Sequence, residues 1–192
     1  MTLNPPAVEV EVKAPVSDPA AVRQALLHAG ARPEFRGAMF DRRFDRHTEL
    51  RGRDEVLRLR TYFPADGAPA YGVLGWKGPP SAPDAYRRRI EVESRVTDPV
   101  ATLTILERAG FTVAYEIHRT VEVYNLAGAS VRLEWYPAMD VLLEVEGEPA
   151  AIERAIAATG LPRQSFLPES LEYFVAAYEA RTGRPARVSN SA

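Results

Sequence analysis

The sequence predicts an α+β chain whose eight strands are enough to close a small β-barrel, built from two repeated strand–helix–three-strand halves. Three observations carry this. Apolar and polar residues alternate over several short segments, as strands require. Asp-Pro followed by an amphipathic stretch and Ala-Gly occurs twice, each time after an alternating strand. The strands after the two helices also match one another between halves.

The first strand runs from Ala7 to Lys13. It places Val8, Val10 and Val12 on one face and Glu9, Glu11 and Lys13 on the other. Asp18 then caps a helix with Pro19 at its first position, Val22, Leu26 and Ala29 on its apolar stripe, and Gly30 as its stop. Strands follow at 38–45, around Phe40 and Phe44, and at 55–63, with Leu57, Leu59 and Phe63 opposite Arg58, Arg60 and Tyr62. Another lies at 70–77, with Leu74 and Trp76 opposite Gly75 and Lys77, and 78–83 is a loop. The second half repeats the plan. Residues 86–96 put Arg87, Arg89, Glu91, Glu93 and Arg95 on one face, and Asp98-Pro99 opens a helix with Leu103 and Leu106 that stops at Gly110. Glu9-x-Glu11-x-Lys13 thus matches Glu91-x-Glu93-x-Arg95. The segment 57–62 matches 131–136, and 73–78 matches 142–147. Two helices end the chain. One covers 150–158 with Ile152 and Ile156. The other starts at Pro168, carries Leu171, Phe174, Val175 and Tyr178, and stops near Gly183. Residues 1–183 form one domain in this reading, and 184–192 a disordered tail.

Composition narrows the chemistry. With 192 residues the chain is long enough to bury a core, and 46% hydrophobic and 26% charged residues suit a soluble globular protein. The absence of cysteine excludes disulfides, thiolate zinc, iron–sulfur clusters and a thiol nucleophile. His28, His47 and His118 are not at metal-ligand spacings, so an imidazole zinc site is not expected. A net charge of −2 argues against a nucleic-acid binder held by a basic surface. No apolar run approaches the ~18 residues of a membrane helix. No basic-then-apolar segment opens the chain, so a cytoplasmic protein without a membrane partner is expected. Lys13 and Lys77 are the only lysines among 24 basic residues.

An alternating charged strand is ordinarily a solvated face with cross-strand ion pairs. Several such strands closing with these faces inward make something else. One cavity would then hold Glu9, Glu11, Lys13, Arg58, Arg60, Lys77, Arg89, Glu91, Glu93, Glu134, Glu144 and Glu146. Buried charges need partners. A lumen rich in both signs suits a polyanion carrying a divalent metal: carboxylates bind Mg²⁺ or Mn²⁺, and arginine and lysine hold phosphate oxygens. Between the halves, Arg60 corresponds to Glu134 and Lys77 to Glu146. The first half therefore leans toward a phosphate wall and the second toward a metal wall.

The order of these motifs resembles the CYTH domain, the triphosphate tunnel metalloenzymes. They are Glu9-x-Glu11-x-Lys13, Leu57-Arg58-Leu59-Arg60, Trp76-Lys77-Gly78-Pro79, Arg89-x-Glu91-x-Glu93, Gly110-Phe111, Leu133-Glu134 and Leu143-Glu144-Val145-Glu146, spanning residues 8–147. The pattern is most similar to the class IV adenylyl cyclase branch, with thiamine triphosphatases and inorganic triphosphatases as relatives. The resemblance implies a closed eight-stranded antiparallel tunnel and an Mg²⁺- or Mn²⁺-dependent enzyme. Its substrate would be a triphosphate: ATP, inorganic triphosphate or thiamine triphosphate. It implies that Lys13, Arg58, Arg60, Lys77, Arg89 and Arg119 hold phosphate oxygens, with Lys13 and Lys77 as the catalytic lysines. Glu9, Glu11, Glu134, Glu144 and Glu146 become metal-ligand candidates, with Glu91 and Glu93 as supporting acids. Mg²⁺ takes few carboxylates directly, so the five cannot all ligate one ion. Two departures stand out. Val121 replaces an arginine of the family pattern, which removes one phosphate contact, and Asp140 stands where the family often has glycine.

The remaining residues have plainer readings. His28 lies at a helix end, His47 in a polar turn, and His118 on the side of its strand opposite Arg119. Trp76 and Trp135 are expected to pack under helices. Neighbouring arginines in Arg42-Arg43 and Arg87-Arg88-Arg89 point to opposite faces, so they build no basic patch for nucleic acid. The leading reading is thus a metal-dependent enzyme on a triphosphate, as monomer or homodimer. The alternative is a non-catalytic module that binds polyphosphate or nucleotides, kept open by Val121.

Overall fold

The computed structural model describes residues 7–81 and 84–190. Eight antiparallel strands close into a barrel: β1 (Ala7–Val16), β2 (Arg32–Asp45), β3 (Val56–Pro64), β4 (Tyr71–Pro80), β5 (Arg87–Val96), β6 (Thr112–Leu126), β7 (Ala129–Trp135) and β8 (Val141–Glu146). Their order around the barrel is β1-β5-β4-β3-β2-β6-β7-β8, with β8 returning to β1. The duplicated halves therefore interlock. First strand pairs with first strand, from Ala7 opposite Glu91 to Glu11 opposite Arg87, and second strand with second, β2 along β6.

Equivalent chemistry starts the helix of each half. The Asp18 carboxylate accepts from the Ala21 N–H at 3.0 Å to cap α1 (Pro19–His28), and Asp98 accepts from Ala101 at 2.9 Å to cap α3 (Pro99–Arg108). The helix α1 and the later α4 (Pro149–Thr159) lie against the outside of β1, β7 and β8. There Val22, Leu26, Ile152 and Ile156 meet Val12, Val131, Leu133 and Val145. Burial of each such side chain stabilises the fold by about 1.5–3 kcal/mol. On another wall Leu106 of α3 packs on Phe44 and Leu59. Leu171 and Phe174 of α5 (Leu171–Thr182) pack on Ile117, Tyr136 and Leu142. Those three share the inward parity of Arg119, Glu134 and Glu144, so α5 stoppers the barrel from one end.

Several elements differ from the sequence reading. The strand β2 begins well before 38, at Arg32, because pairing along the 15-residue β6 sustains it through two register shifts. A short helix α2 (Glu49–Gly52) was not expected. It forms because the Asp45 carboxylate accepts from the N–H groups of Arg46, Leu50 and Arg51. The strand β4 continues to Pro80, so the loop starts at Ser81, and its residues 82–83 lie outside the described residues. The last helix starts at Leu171 rather than Pro168, because Leu167 instead exchanges backbone hydrogen bonds with Lys13 at 2.8 and 2.9 Å. Within the segment expected as a disordered tail, residues up to 190 make contacts with the rest of the chain. Arg187 pairs with Ala138, the His118 N–H donates to the Val188 carbonyl at 2.7 Å, and Val188 packs beside Leu167 and Val175. One apolar residue and three backbone hydrogen bonds hold that segment down. Residues 191–192 lie outside the described residues. No helix among the described residues is long and apolar enough to cross a membrane.

Candidate active site

Strand alternation turns one charged row from every strand into the barrel. A cavity of about 360 Å³ results, and all six residues expected to hold phosphate line it: Lys13, Arg58, Arg60, Lys77, Arg89 and Arg119. Lys13 is fixed by its backbone exchange with Leu167, and its ammonium sits 2.7 Å from Glu11 and 3.0 Å from Glu144. Lys77 pairs with Glu9 and lies 3.5 Å from Glu91. Arg58 donates to Glu91 at 2.7 Å and Glu93 at 3.3 Å. Deeper, Arg119 bridges Glu134 at 2.8 Å and Asp41 at 3.1 Å, and Arg60 lies 3.8 Å from Asp41. Charges of opposite sign thus alternate around the wall, as their burial demands.

The pairing is incomplete in a way that has chemical meaning. The Nε atoms of Arg58, Arg60, Arg119 and Arg132 are buried with no hydrogen-bond partner. A buried donor left unmade costs about 1–3 kcal/mol. With the Nε of Arg43, also buried without a partner on the same cavity, five such donors match the oxygen-rich surface of a polyphosphate. Arg89 is engaged differently. It donates to the Gly78 carbonyl at 2.5 Å and to the Asp54 carbonyl, so it ties the rim together. Burial and the nearby Arg87 lower its pKa.

Acidic groups gather elsewhere on the wall. Carboxylate oxygens of Glu9, Glu91 and Glu146 lie within 4.8 Å of one another. Burial, with Glu9 and Glu144 nearby, pushes the Glu146 carboxyl up to about 7, against the partial relief of Arg132. Burial also raises Glu91, with Lys77 opposing and Glu93 reinforcing the rise. Carboxylates crowded at this cost form an all-oxygen donor set, and a hard divalent cation such as Mg²⁺ or Mn²⁺ fits it. Glu144 contrasts with them. Burial alone would raise its pKa, but Lys13 and Arg132 outweigh it and hold the carboxylate well below the usual range. For Lys13 burial is likewise outweighed, by Glu11 and Glu144, and the ammonium is held more firmly than usual.

No family model and no curated protein matches the sequence. Solved structures do match. A candidate adenylate cyclase from Vibrio parahaemolyticus superposes with a TM-score of 0.73 at 17% identity, covering 90% of this chain and 99% of that one. HpAC1 from Hippeastrum, described as revealing a dominant triphosphatase activity, gives 0.56 at 15% identity over 96% and 91%. The chain shares the closed eight-stranded barrel fold of these structures. A chain of the Schizosaccharomyces pombe Mediator head module also matches, with a TM-score of 0.57 at 16% identity over 79% and 90%. The tunnel architecture therefore does not by itself dictate an activity.

Within the tunnel, the expected metal set separates. Glu9 and Glu146 enter the carboxylate trio, and Glu91, expected only to support, joins them. Glu11 and Glu144 are paired to Lys13. Glu134 is fully buried, bonded to Arg119 and to the Tyr136 hydroxyl at 2.5 Å. Glu93 stays on the wall, 3.8 Å from Arg60. Sequence reasoning missed Asp41, Arg43, Arg132 and Tyr136. The signal for Arg132 was present, since it lies two residues from Glu134 and shares its parity. Asp41 was obscured because the β2 reading was anchored on Phe40 and Phe44, which face outward. His118 faces outward as expected: its ring packs at a tilt against Phe40, centroids 4.4 Å apart, and it accepts from the Asn190 N–H. Trp135 packs under the helices. Trp76 instead donates to Glu55 at 3.4 Å. Asp140 contacts Arg181 of α5 at 2.6 Å, and so ties the stopper helix to the turn before β8.

Proposed function

We propose that the tunnel is an active site that binds a small molecule bearing a triphosphate together with Mg²⁺ or Mn²⁺, and cleaves a phosphoanhydride bond. The observation that carries this reading is the set of unpartnered arginine donors facing one cavity beside a trio of crowded carboxylates. A triphosphate brings several negative charges, which must be neutralised before a nucleophile can approach phosphorus. Arg58, Arg60 and Arg119 lie within a closed wall, so they offer preorganised donors with little reorganisation. Lys13 and Lys77 add point charges that can leave their carboxylate partners for phosphate oxygens. Glu9, Glu91 and Glu146 would hold the metal, which when bound polarises phosphate oxygens. The chain's own residues fix the phosphate chain and keep the attacking oxygen in line with the leaving one.

Two reactions fit this frame. In hydrolysis, water oxygen bonds to a terminal phosphorus and gives up a proton to solvent, the bridging P–O bond breaks, and diphosphate leaves with the electron pair. In cyclisation, the ribose 3′ oxygen of ATP bonds to the α-phosphorus and its proton passes to solvent, the Pα–O bond to the β-phosphate breaks, and pyrophosphate leaves with the electron pair to give cyclic AMP. The test is to incubate the protein with Mg²⁺ or Mn²⁺ and, separately, ATP, inorganic triphosphate and thiamine triphosphate, then identify products. Orthophosphate selects the hydrolase and cyclic AMP the cyclase. A second reading, a non-catalytic polyphosphate or nucleotide module, is favoured by Val121, a fully buried aliphatic residue where the resemblance calls for arginine. Tight binding without either product selects it. Metal-dependent turnover unchanged in a Glu9→Gln, Glu11→Gln variant overturns the metal assignment.

A further inference from the structure

We propose that Arg132 of β7 is a further phosphate-holding residue, supplying from the neighbouring strand the cationic contact that Val121 of β6 does not make. The proposal rests on the reading of the tunnel as a triphosphate site and names a residue that reading did not contain.

Register places the two residues side by side. Val121 pairs with Glu134, and Val123 pairs with Arg132, so positions 121 and 132 sit diagonally across adjacent strands on the inward face. An arginine at 121 would project beside Glu134. The guanidinium of Arg132 already reaches that place, with Nη1 3.8 Å from Glu134 and 2.7 Å from Glu144. Both carboxylate contacts run through Nη1, while Nε is buried without a hydrogen-bond partner. The side chain lines the same cavity as Arg58, Arg60 and Arg119, and is 12% exposed.

Charge balance points the same way. Glu144 already has Lys13 at 3.0 Å, and Glu134 has Arg119 at 2.8 Å and the Tyr136 hydroxyl. Neither carboxylate depends on Arg132 for its only partner. A guanidinium that served those acids alone would be redundant, and its remaining donors would be desolvated without return. A phosphate oxygen in the cavity accepts from those donors without breaking the Nη1 contact to Glu144. Arginine suits the role because its planar fork can hold a carboxylate and a phosphate at once.

The experiment uses the full chain and inorganic triphosphate as probe. Affinity is measured by calorimetry for wild type, Arg132→Gln and Arg132→Lys, with Mn²⁺ binding measured separately on each. Losing one charge-assisted contact weakens triphosphate binding about ten- to a hundredfold in Arg132→Gln. Arg132→Lys recovers part of the loss, and Mn²⁺ affinity stays within about twofold of wild type. Arg132→Gln binding triphosphate within about twofold of wild type overturns the proposal. An equal loss of triphosphate and Mn²⁺ affinity also overturns it, because it marks a packing defect. Wild type failing to bind triphosphate at all overturns the tunnel reading itself, which separates the two failures.

Discussion

Replacing Glu146 by glutamine should make the metal-free protein more stable at alkaline pH. In the folded state this carboxyl is pushed from 4.5 up to about 7 by burial and by the neighbouring Glu9 and Glu144. Below about pH 4.5 it is protonated in both folded and unfolded chains and has no effect on stability. Between 4.5 and 7 the unfolded chain ionises it while the folded chain keeps the proton, so stability falls as pH rises. The loss saturates above 7. At about 1.4 kcal/mol for each tenfold change, a displacement of this size is worth about 3 kcal/mol. Glutamine has the same shape and no charge, so Glu146→Gln removes the penalty. Urea unfolding in a chelator should show the variant about 3 kcal/mol more stable than wild type at pH 8, and within about 1 kcal/mol at pH 5. Adding Mg²⁺ at pH 8 should stabilise wild type by mass action and the variant far less. Equal stabilities at pH 8, or a difference that does not change with pH, would be incompatible with a raised Glu146 pKa in the folded chain.

Other perturbations probe the scaffold. Leu26→Ala opens a cavity between α1, α4 and the barrel wall, and should cost about 2–5 kcal/mol in urea unfolding. At Gly37 a Cβ would lie 2.1 Å from the Phe63 carbonyl oxygen, so Gly37→Ala must push β2 from β3. A loss of about 1–3 kcal/mol, read as a lowered melting temperature, is expected. Ending the chain at Gly183 removes the Val188 contact and three backbone hydrogen bonds to Ala138 and His118. It should lower stability by about 2 kcal/mol and speed amide exchange at His118.

The sequence made most of the barrel legible because its information is local. Period-two alternation places Glu9, Glu11 and Lys13 on one face wherever β1 ends up. The two Asp-Pro caps mark α1 and α3 through hydrogen bonds only three residues long. Pairing is less local. The lengths of β2 and β6 come from each other, and the C-terminal segment is held by Ala138 and His118, far away in the chain. Within the site, alternation identifies which acids point inward but not which cations reach them. Glu134 and Glu91 look equivalent as letters. One is claimed by Arg119 and Tyr136, and the other is left near Glu9 and Glu146. The same blindness hid Asp41, whose importance lies in two arginines from β3 and β6 converging on it.

If one tunnel gathers arginine donors for phosphate beside a carboxylate trio for metal, both ligands should be found inside it together. A crystal grown with Mn²⁺ and a non-hydrolysable triphosphate analogue, measured for anomalous scattering, reads the two positions at once. A manganese peak is expected against Glu9, Glu91 and Glu146, with phosphate oxygens against Arg58, Arg60 and Arg119. A triphosphate bound outside the barrel, or manganese held by other residues, would contradict it.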